Sequence, residues 1–433
     1  MNKYEKYKDS GVQWLGDIPE HWEIIRFKRL FKEKKKTTDV SLNSGSISFG
    51  EVVYKDDEKI TEATKLSYQV LNEGEFLLNP LNMNYDLKSL RIGLSTINVV
   101  VSSGYIILQS KKGLNKNYYK WLLRMYDIVF MKTLGAGVRQ TINYNDLADS
   151  HLVVPSFDEQ QVIAEFLDDK TAKIDQTIGI RQKEIALLKE RRQILIQKAV
   201  TGKLKMENGE WKMKDSGVEW IGEIPEHWEV RKLKYIGNMF SGLTNKRGDD
   251  FSKEPNEGFL PFIPFTNIFR NNKISENEFQ FVKSNSYDVQ NVVEFNNILF
   301  LMSSETFDDI GKNSIYLGKT KVFLNSFCKG FKIFDKNINP LYINFLLLSK
   351  NYRDYFASVG RGFTRINIKQ EYVLDMPILY IPLNEQTQIV SYLEEIEEKI
   401  AKAISLKQQE IEKLKEYKTV LIDNVVTGKV KVS

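Results

Sequence analysis

A stretch of 14 residues occurs twice in this chain of 433 residues, and this duplication limits the possible folds more than any other feature. The first copy, which we call the first box, reads DSGVQWLGDIPEHW at Asp9–Trp22. The second box reads DSGVEWIGEIPEHW at Asp215–Trp228 and differs at three positions. Two copies this similar predict two halves built on one plan.

A second pattern is repeated after each box. Glu159-Gln160 recurs as Glu385-Gln386, and the Val-Thr-Gly-Lys motif that begins at Val200 recurs at Val426. The order along the chain is therefore box, variable region, helix, and then the same three again. The boxes and helices repeat closely, whereas the variable regions barely do. A shared scaffold with two different surfaces suits a protein that recognises two different things.

The segments that end in Val-Thr-Gly-Lys have the boundaries of long helices. Asp158 and Asn384 occupy equivalent positions and are predicted as N-caps, because their short side chains accept hydrogen bonds from free backbone N–H groups. Gly202 and Gly428 lie just beyond the predicted ends, where a left-handed residue is favoured. We call these segments the first and second long helix.

Apolar residues recur at alternating spacings of four and three along both long helices, which predicts a coiled-coil seam. Two separate helices that each pack on their own domain are the alternative. Antiparallel pairing is favoured because both seams share one register over more than four heptads, and it would relate the halves by a pseudo-twofold axis. The seam would span roughly 50 Å, more than the 34–36 Å of one DNA turn. The seam residues are Leu167, Ile174, Ile178, Ile185, Leu188, Leu195, Leu393, Ile400, Ile404, Ile411, Leu414 and Leu421.

The two variable regions, residues 23–154 and 229–380, are predicted to be mixed α+β domains. Short strand-like runs recur in both, and one helix is predicted in each, at Lys116–Tyr126 and at Pro340–Tyr355. The first region has 19 Lys and Arg against 14 Asp and Glu, and the second has 20 against 16. Positive charge therefore concentrates in these regions, which we call the first and second head, as expected for nucleic-acid binding.

Each head ends in a related loop of glycines and basic residues, which leads to the predicted DNA contacts. Glycine lets a backbone approach phosphate closely, and arginine can bind phosphate or the O6 and N7 atoms of guanine. The alternative is a glycine turn with a solvated arginine. Polar residues that follow a strand in each head are further candidates. The predicted DNA-binding residues are Gly135, Gly137, Arg139, Gln140, Gly360, Arg361, Gly362, Arg365, Asn82, Asn84, Arg91, Ser303 and Ser304.

The sequence contains no arrangement of residues that predicts catalysis or metal binding. There is one cysteine and there are three histidines, and His21 and His227 occupy the same box position, which predicts a structural role. No signal peptide and no apolar run of about 20 residues is found, so a soluble cytoplasmic protein is expected. We expect no cofactor and no metal in this chain.

The duplicated SGV-W-G-IP-HW box, the Glu-Gln helix entry and the Val-Thr-Gly-Lys helix exit resemble the specificity subunit of type I restriction–modification enzymes, over essentially the whole chain. The resemblance implies two target-recognition domains that each read half of a split, asymmetric DNA site. It implies that the long helices form a spacer and dock two modification subunits, which use S-adenosylmethionine to methylate adenine. Two restriction subunits, which use ATP and magnesium, would join them.

The expected organisation is a first box with target-recognition domain 1 (1–155), a central spacer helix (156–202), a linker with the repeated box and domain 2 (203–381), and a C-terminal spacer helix (382–433). The alternatives are a nuclease or methyltransferase with its own site, and a pure coiled-coil scaffold. The first lacks motifs, and the second does not explain two basic heads.

The connector between the halves has 12 residues and the two chain ends together have 13, which predicts that the ends lie close together.

Overall fold

The structure is a computed structural model that describes residues 2–82, 90–134, 140–204, 211–276, 278–284 and 289–432. The chain divides into two compact units, of which the first combines segments from both ends of the sequence and the second is a continuous middle segment. The first unit comprises Met1–Gln182 and Gln408–Ser433, and the second comprises Lys183–Lys407. Each unit therefore holds a box, a head and a part of each long helix, so the division does not follow the four segments expected from the sequence.

The first unit is built on a four-stranded antiparallel sheet in the order Ile92–Leu94, Phe76–Leu78, Ile106–Ser110, Phe31–Glu33. The helix Lys116–Val129, predicted from Lys116 to Tyr126, packs its buried aromatic residues into the same core as the box and the long helices. The other strands are Tyr7–Asp9, Asp17–Pro19, Glu23–Arg26, Gly45–Ser48, Glu51–Tyr54, Gln69–Leu71, Leu81–Asn82, Val99–Val101, Gln140–Thr141 and His151–Val154, and the short helices are Phe27–Leu30, Glu62–Leu66 and Tyr144–Ala148.

The second unit contains a five-stranded mixed sheet in the order Gly237–Ser241, Cys328–Ile333, Ile298–Leu301, Asn313–Tyr316, Lys273–Ile274. A four-stranded mixed sheet adds Phe251–Ser252, Gln280–Lys283, Phe259–Ile263 and Phe323–Leu324. The remaining strands are Met213–Asp215, Glu223–Pro225, Glu229–Lys232, Ser303–Ser304, Ile366–Asn367 and Pro377–Tyr380, and the helices are Phe265–Arg270, Pro340–Leu348, Lys350–Val359 and Gln370–Leu374.

The helix predicted at Pro340–Tyr355 is wrong in one respect, because two helices occupy this stretch. Ser349 adopts an extended conformation between them, with ψ 154°, and its hydroxyl donates to the Leu346 carbonyl. The Ser349 backbone N–H donates to the same carbonyl at 3.1 Å, so both groups of this residue bind the end of the first helix. The uninterrupted apolar run before Ser349 hid this break.

The long helices span Phe157–Val200 and Leu383–Val426. The predicted N-caps are two residues too late, because Asp158 lies inside the first turn and the Ser156 hydroxyl accepts from the Glu159 N–H instead. The predicted exits are confirmed: Gly202 and Gly428 have φ of 71° and 76°.

The two long helices pair antiparallel in each unit, which confirms the predicted coiled coil. In the first unit, Lys418 pairs with Asp175 and Arg181 with Glu410. In the second unit, Lys407 pairs with Glu184 and Arg192 with Glu397. Residue numbers rise on one helix as they fall on the other, so the helices run in opposite directions. All twelve predicted seam residues are buried or half-buried: Leu167, Ile174, Ile178, Ile185, Leu188, Leu195, Leu393, Ile400, Ile404, Ile411, Leu414 and Leu421.

The chain ends lie together in the first unit, as predicted. Asn2 and Lys431 form an antiparallel bridge, in which the Lys431 N–H donates to the Asn2 carbonyl at 2.8 Å. The Lys431 ammonium also lies 5.8 Å from the centre of the Tyr4 ring. Only three residues separate Lys431 from Asn2 if Ser433 is joined to Met1, which is a common length for a hairpin loop.

We therefore expect a circular permutant, joined from Ser433 to Met1 and opened near Gly209, to fold with unchanged thermal stability and specificity. Thermal denaturation and the DNA methylation pattern in cells would measure both. A permutant with the same junction but opened between Gln182 and Lys183 interrupts the first long helix and should lose stability. If the first permutant does not fold, the joined chain ends are not equivalent to the connector between the two halves.

Candidate nucleic-acid interface

In both units, the box is fixed to the start of a long helix by one glutamate. In the first unit, the Trp22 indole N–H donates to Glu159 at 3.2 Å, and His21 Nε2 lies 3.0 Å from the same carboxylate. In the second unit, Trp228 donates to Glu385 at 2.8 Å, and His227 lies 2.9 Å away. The structural role predicted for the two histidines is therefore confirmed.

Ionisation of Glu159 is favoured by this arrangement. Burial opposes the charge, but hydrogen bonds from His21, Trp22 and Ser156 hold the pKa of Glu159 below its usual value. The neighbouring carboxylate and burial raise the pKa of the Tyr4 phenol, with burial as the larger cause. The glutamate of the repeated Glu-Gln pair is thus explained, because its carboxylate binds side chains of the box.

The glutamine of each Glu-Gln pair connects the long helix to the head. The Gln160 side-chain carbonyl accepts from the backbone N–H of Asn115, the N-cap of the head helix Lys116–Val129. Gln386 accepts in the same way from Asn339, the N-cap of Pro340–Leu348. Both amides are buried, so each head is held to its helix by satisfied hydrogen bonds.

The predicted loop and the predicted post-strand residues come together in both heads. In the second head, Ser303–Ser304 forms a two-residue antiparallel ladder with Ile366–Asn367, directly after the glycine–arginine loop. In the first head, Leu81–Asn82 pairs in the same way with Gln140–Thr141. Two sets of residues that the sequence indicated separately are therefore neighbours, at the same place in each head.

A cavity of about 580 Å³ lies beside this ladder in the second head. Ser303, Ser304 and Arg365 line it, and the two serines are buried in its wall. The Arg365 guanidinium lies 5.3 Å from the centre of the Phe327 ring. Among the described residues no carboxylate pairs with Arg365, so this cation is available to a ligand. The lining also includes Phe269, Arg270, Asn325 and Phe327, which the sequence did not indicate, and the acidic residues Glu305 and Asp309.

The loop that carries Arg365 is a hairpin whose base is fixed by backbone hydrogen bonds. Arg361 and Asn367 exchange two of them, at 3.0 and 2.8 Å. Gly362 is required here, because its φ is 145° and a Cβ would lie 1.9 Å from the Arg365 carbonyl oxygen. Gly360 has an ordinary φ of −62°. Arg361 differs from the prediction, since its guanidinium donates to the carbonyls of Ser358 and Gly360 and closes the hairpin.

Several predicted residues of the first head cannot be placed. Gly135, Gly137, Arg139 and Asn84 lie outside the described residues. The structure describes only the backbone of Asn82 and Gln140, through the ladder that joins their strands. A second cavity, of about 330 Å³, lies near this ladder and is lined by residues that include Lys36, Thr141, Asn143 and Asn145. The run Asn143-Tyr144-Asn145 directly after the loop is the sequence feature from which these two asparagines could have been predicted as part of the site.

The structure places Arg91, a predicted DNA contact, inside the protein, where it lines neither of the two cavities. Its side chain is 4% exposed, and Nε donates to the Asp127 carboxylate at 3.0 Å. Burial raises the pKa of Asp127, and the bonds from Arg91 partly offset this effect. Arg91 therefore joins a strand to the helix Lys116–Val129, and we remove it from the predicted DNA contacts.

The described part of the chain has neither a cluster of metal-ligating residues nor a membrane-spanning helix. No group of three or more His, Cys, Asp or Glu in this part of the chain could hold a metal ion. No helix there is long and apolar enough to cross a membrane.

Comparison with known proteins gives the family. A model described as the type I restriction modification DNA specificity domain matches residues 19–190 and again residues 225–416. The type I restriction enzyme MjaVIII specificity subunit of Methanocaldococcus jannaschii is 24% identical, over 98% of this chain and 97% of its own length. The EcoKI specificity subunit of Escherichia coli is 24% identical over 48% of this chain and 44% of its own.

Solved structures share the fold. A chain from a structure of type I R-M complex assembly and conformational transition has a TM-score of 0.69, with 13% identity, and covers 95% of this chain and 99% of its own. The crystal structure of the HsdS subunit from Thermoanaerobacter tengcongensis has a TM-score of 0.50 at 13% identity, covering 95% and 98%.

Two units that each hold a box, a head with a short ladder and a part of both long helices define a duplicated recognition protein. The chain belongs to the type I restriction–modification DNA specificity family and is a specificity subunit with DNA-recognition domains.

Proposed function

We propose that this chain reads a bipartite, asymmetric DNA site, with one half-site contacted by each head. The ladder that recurs in both heads carries this proposal. The ladders share a position but differ in side chains, since Ser303 and Ser304 stand where the first head has Leu81 and Asn82. Different polar groups at one scaffold position favour two different half-sites.

We further propose that the chain has no catalytic site and positions two modification subunits, which bind S-adenosylmethionine, and two restriction subunits, which use ATP and magnesium. Apolar residues outside the seam support helix docking. Leu187 and Ile194, one heptad apart in the second unit, are 63% and 45% exposed, and Leu406 of that unit is 53% exposed. Exposed apolar residues at heptad spacing suit a partner helix.

Single-molecule sequencing of host DNA would test the proposal. We expect methylated adenines in one motif with two specified halves and a gap of fixed length. Deletion of this chain should abolish that methylation. A continuous motif, or methyl transfer or DNA cleavage by the isolated chain, would contradict the proposal.

Arg365→Ala should weaken contact with the second half-site, and Arg139→Ala with the first. Each loss of a phosphate contact should reduce the slope of log affinity against log salt by about 0.9, whereas loss of a guanine contact should cost about 1–3 kcal/mol at that base. Fluorescence anisotropy at several salt concentrations measures both quantities.

The matched control for these variants is Lys399→Ala. Lys399 lies on the second long helix and pairs with Glu395, so its replacement removes one positive charge outside the heads. Its affinity should be unchanged. If both arginine variants bind and methylate as the wild type does, the loops are not DNA contacts.

A further inference from the structure

The tip of the hairpin in the second head carries a phenylalanine that touches almost nothing. Phe363 is 108% exposed, the highest value among the exposed large apolar side chains of the described residues. It follows Gly362, whose left-handed backbone fixes the turn, and it precedes Arg365 by two residues. A fully exposed ring buries no apolar surface and so adds little to the stability of this chain, and it is accessible to a binding partner.

The surroundings of Phe363 favour DNA as the binding partner. The segment Gly360–Lys369 contains Arg361, Arg365 and Lys369 and no acidic residue. Arg365 is not ion-paired to any described carboxylate, and the hairpin is joined to the Ser303–Ser304 strand. A positive loop with an apolar tip complements phosphates on the outside of a duplex and base surfaces within it.

We propose that Phe363 is a wedge that inserts between two base pairs of the second half-site and unstacks that step. Phenylalanine is among the side chains that DNA-binding proteins insert in this way, with a kink of roughly 20–90°. The ladder and the two Arg361–Asn367 hydrogen bonds hold the hairpin base, so the ring can enter the stack without folding away. This inference rests on the proposed function, in which the second head contacts one half-site.

The wedge adds a component of specificity that depends on DNA shape. Unstacking costs least at pyrimidine–purine steps, so such a step is expected where Phe363 enters. The first head has valine at the related position, Val138, between Gly137 and Arg139. The distortion should therefore occur in one half of the site and not in the other.

The test uses the full chain in complex with its modification subunits, on duplexes that carry the methylated site. The adenine analogue 2-aminopurine is placed at successive positions, since its fluorescence rises when it is unstacked, and permanganate detects unstacked thymines. Apart from the adenine that is flipped out for methylation, we expect one enhanced step in the second half-site. Phe363→Ala should abolish it and weaken binding about 5- to 150-fold, the range measured for loss of one stacked aromatic. Phe363→Trp should keep the enhanced step, with its own fluorescence quenched by DNA.

Two controls accompany this experiment. Phe334→Ala removes a phenylalanine of the same head that is 55% exposed and whose backbone N–H donates to Ile236, and it should change nothing. The adenine that the modification subunits methylate should still be flipped out in Phe363→Ala, which gives an internal positive signal.

Each other result decides against the wedge. A wild-type complex without an enhanced step in the second half-site overturns it, as does wild-type affinity of Phe363→Ala. If Phe363→Ala instead loses the modification subunits in the absence of DNA, the ring is a protein contact. If the wild-type chain methylates no bipartite site, the proposed function itself fails, and this outcome differs from failure of the wedge alone.

Discussion

Inserting seven residues into each long helix should move the two half-sites apart by about three base pairs without changing either sequence. The insertions belong between Gln182 and Lys183 and between Lys407 and Gln408, where the chain divides into its two units. Seven residues add roughly 10 Å of helix, and one base pair rises about 3.4 Å. Methylation of the original site should disappear, because its gap would no longer fit.

The ion pairs of the coiled coil explain why these two points are chosen. Lys418–Asp175 and Arg181–Glu410 lie within the first unit, and Lys407–Glu184 and Arg192–Glu397 within the second. Insertion of one heptad in each helix at the boundary preserves every pair and keeps the apolar seam in register. An insertion of four residues would interrupt the heptad register and locally unwind the coiled coil.

Single-molecule sequencing of DNA from cells that carry the variant measures the gap. Seven residues inserted into the connector between Lys203 and Lys214 serve as the control, because they lengthen the chain outside the helices and should leave the gap unaltered. An active double-insertion variant with the original gap would show that the helices do not set the spacing.

Features encoded by local patterns could be predicted from the sequence. The seam was predicted residue by residue, because a spacing of three and four depends only on neighbouring turns of one helix. The helix of the first head was placed at its observed start, Lys116, and its predicted end at Tyr126 lies three residues before the observed end. The exits at Gly202 and Gly428 followed from the conformational preference of glycine.

Features that depend on distant residues could not be predicted. Arg91 resembles a surface arginine until Asp127, 36 positions later in the chain, is placed beside it. The ladder of the second head joins Ser303–Ser304 to Ile366–Asn367, about 60 residues apart, and no local pattern indicates that residues so distant in the chain are neighbours. The exposure of Phe363 is likewise a property of the folded hairpin.

The second largest effect is expected where the box meets the long helix. Trp228→Ala should destabilise the second unit by about 3–5 kcal/mol, the usual cost of emptying a buried aromatic site. Trp228 is 2% exposed and packs beside Gly202, and its N–H is bound to Glu385. The melting temperature should fall by roughly 10 °C for a unit of this size.

Trp22→Ala is the matched change in the first unit, where Gly428 and Glu159 take the equivalent places.

In the first unit, the contact between the box and Glu159 of the long helix also depends on pH. The folded state holds the pKa of Glu159 below its ordinary value of 4.5, so its stabilisation is complete above that pH and is lost as the pH falls further. The stability difference between Glu159→Gln and the wild type should therefore shrink in acid.

Trp228→Phe separates the hydrogen bond from the packing. Phenylalanine fills most of the site but donates nothing to Glu385, so we expect a loss of about 1–3 kcal/mol, smaller than for alanine. Tyr235→Ala, at a position 63% exposed in the same unit, should change stability by less than about 0.5 kcal/mol. Differential scanning calorimetry and urea denaturation would measure all three variants. A Trp228→Ala protein as stable as the Tyr235 control would mean that the repeated tryptophan is dispensable for the scaffold, and a contact with a partner subunit would then be the better explanation of the duplicated box.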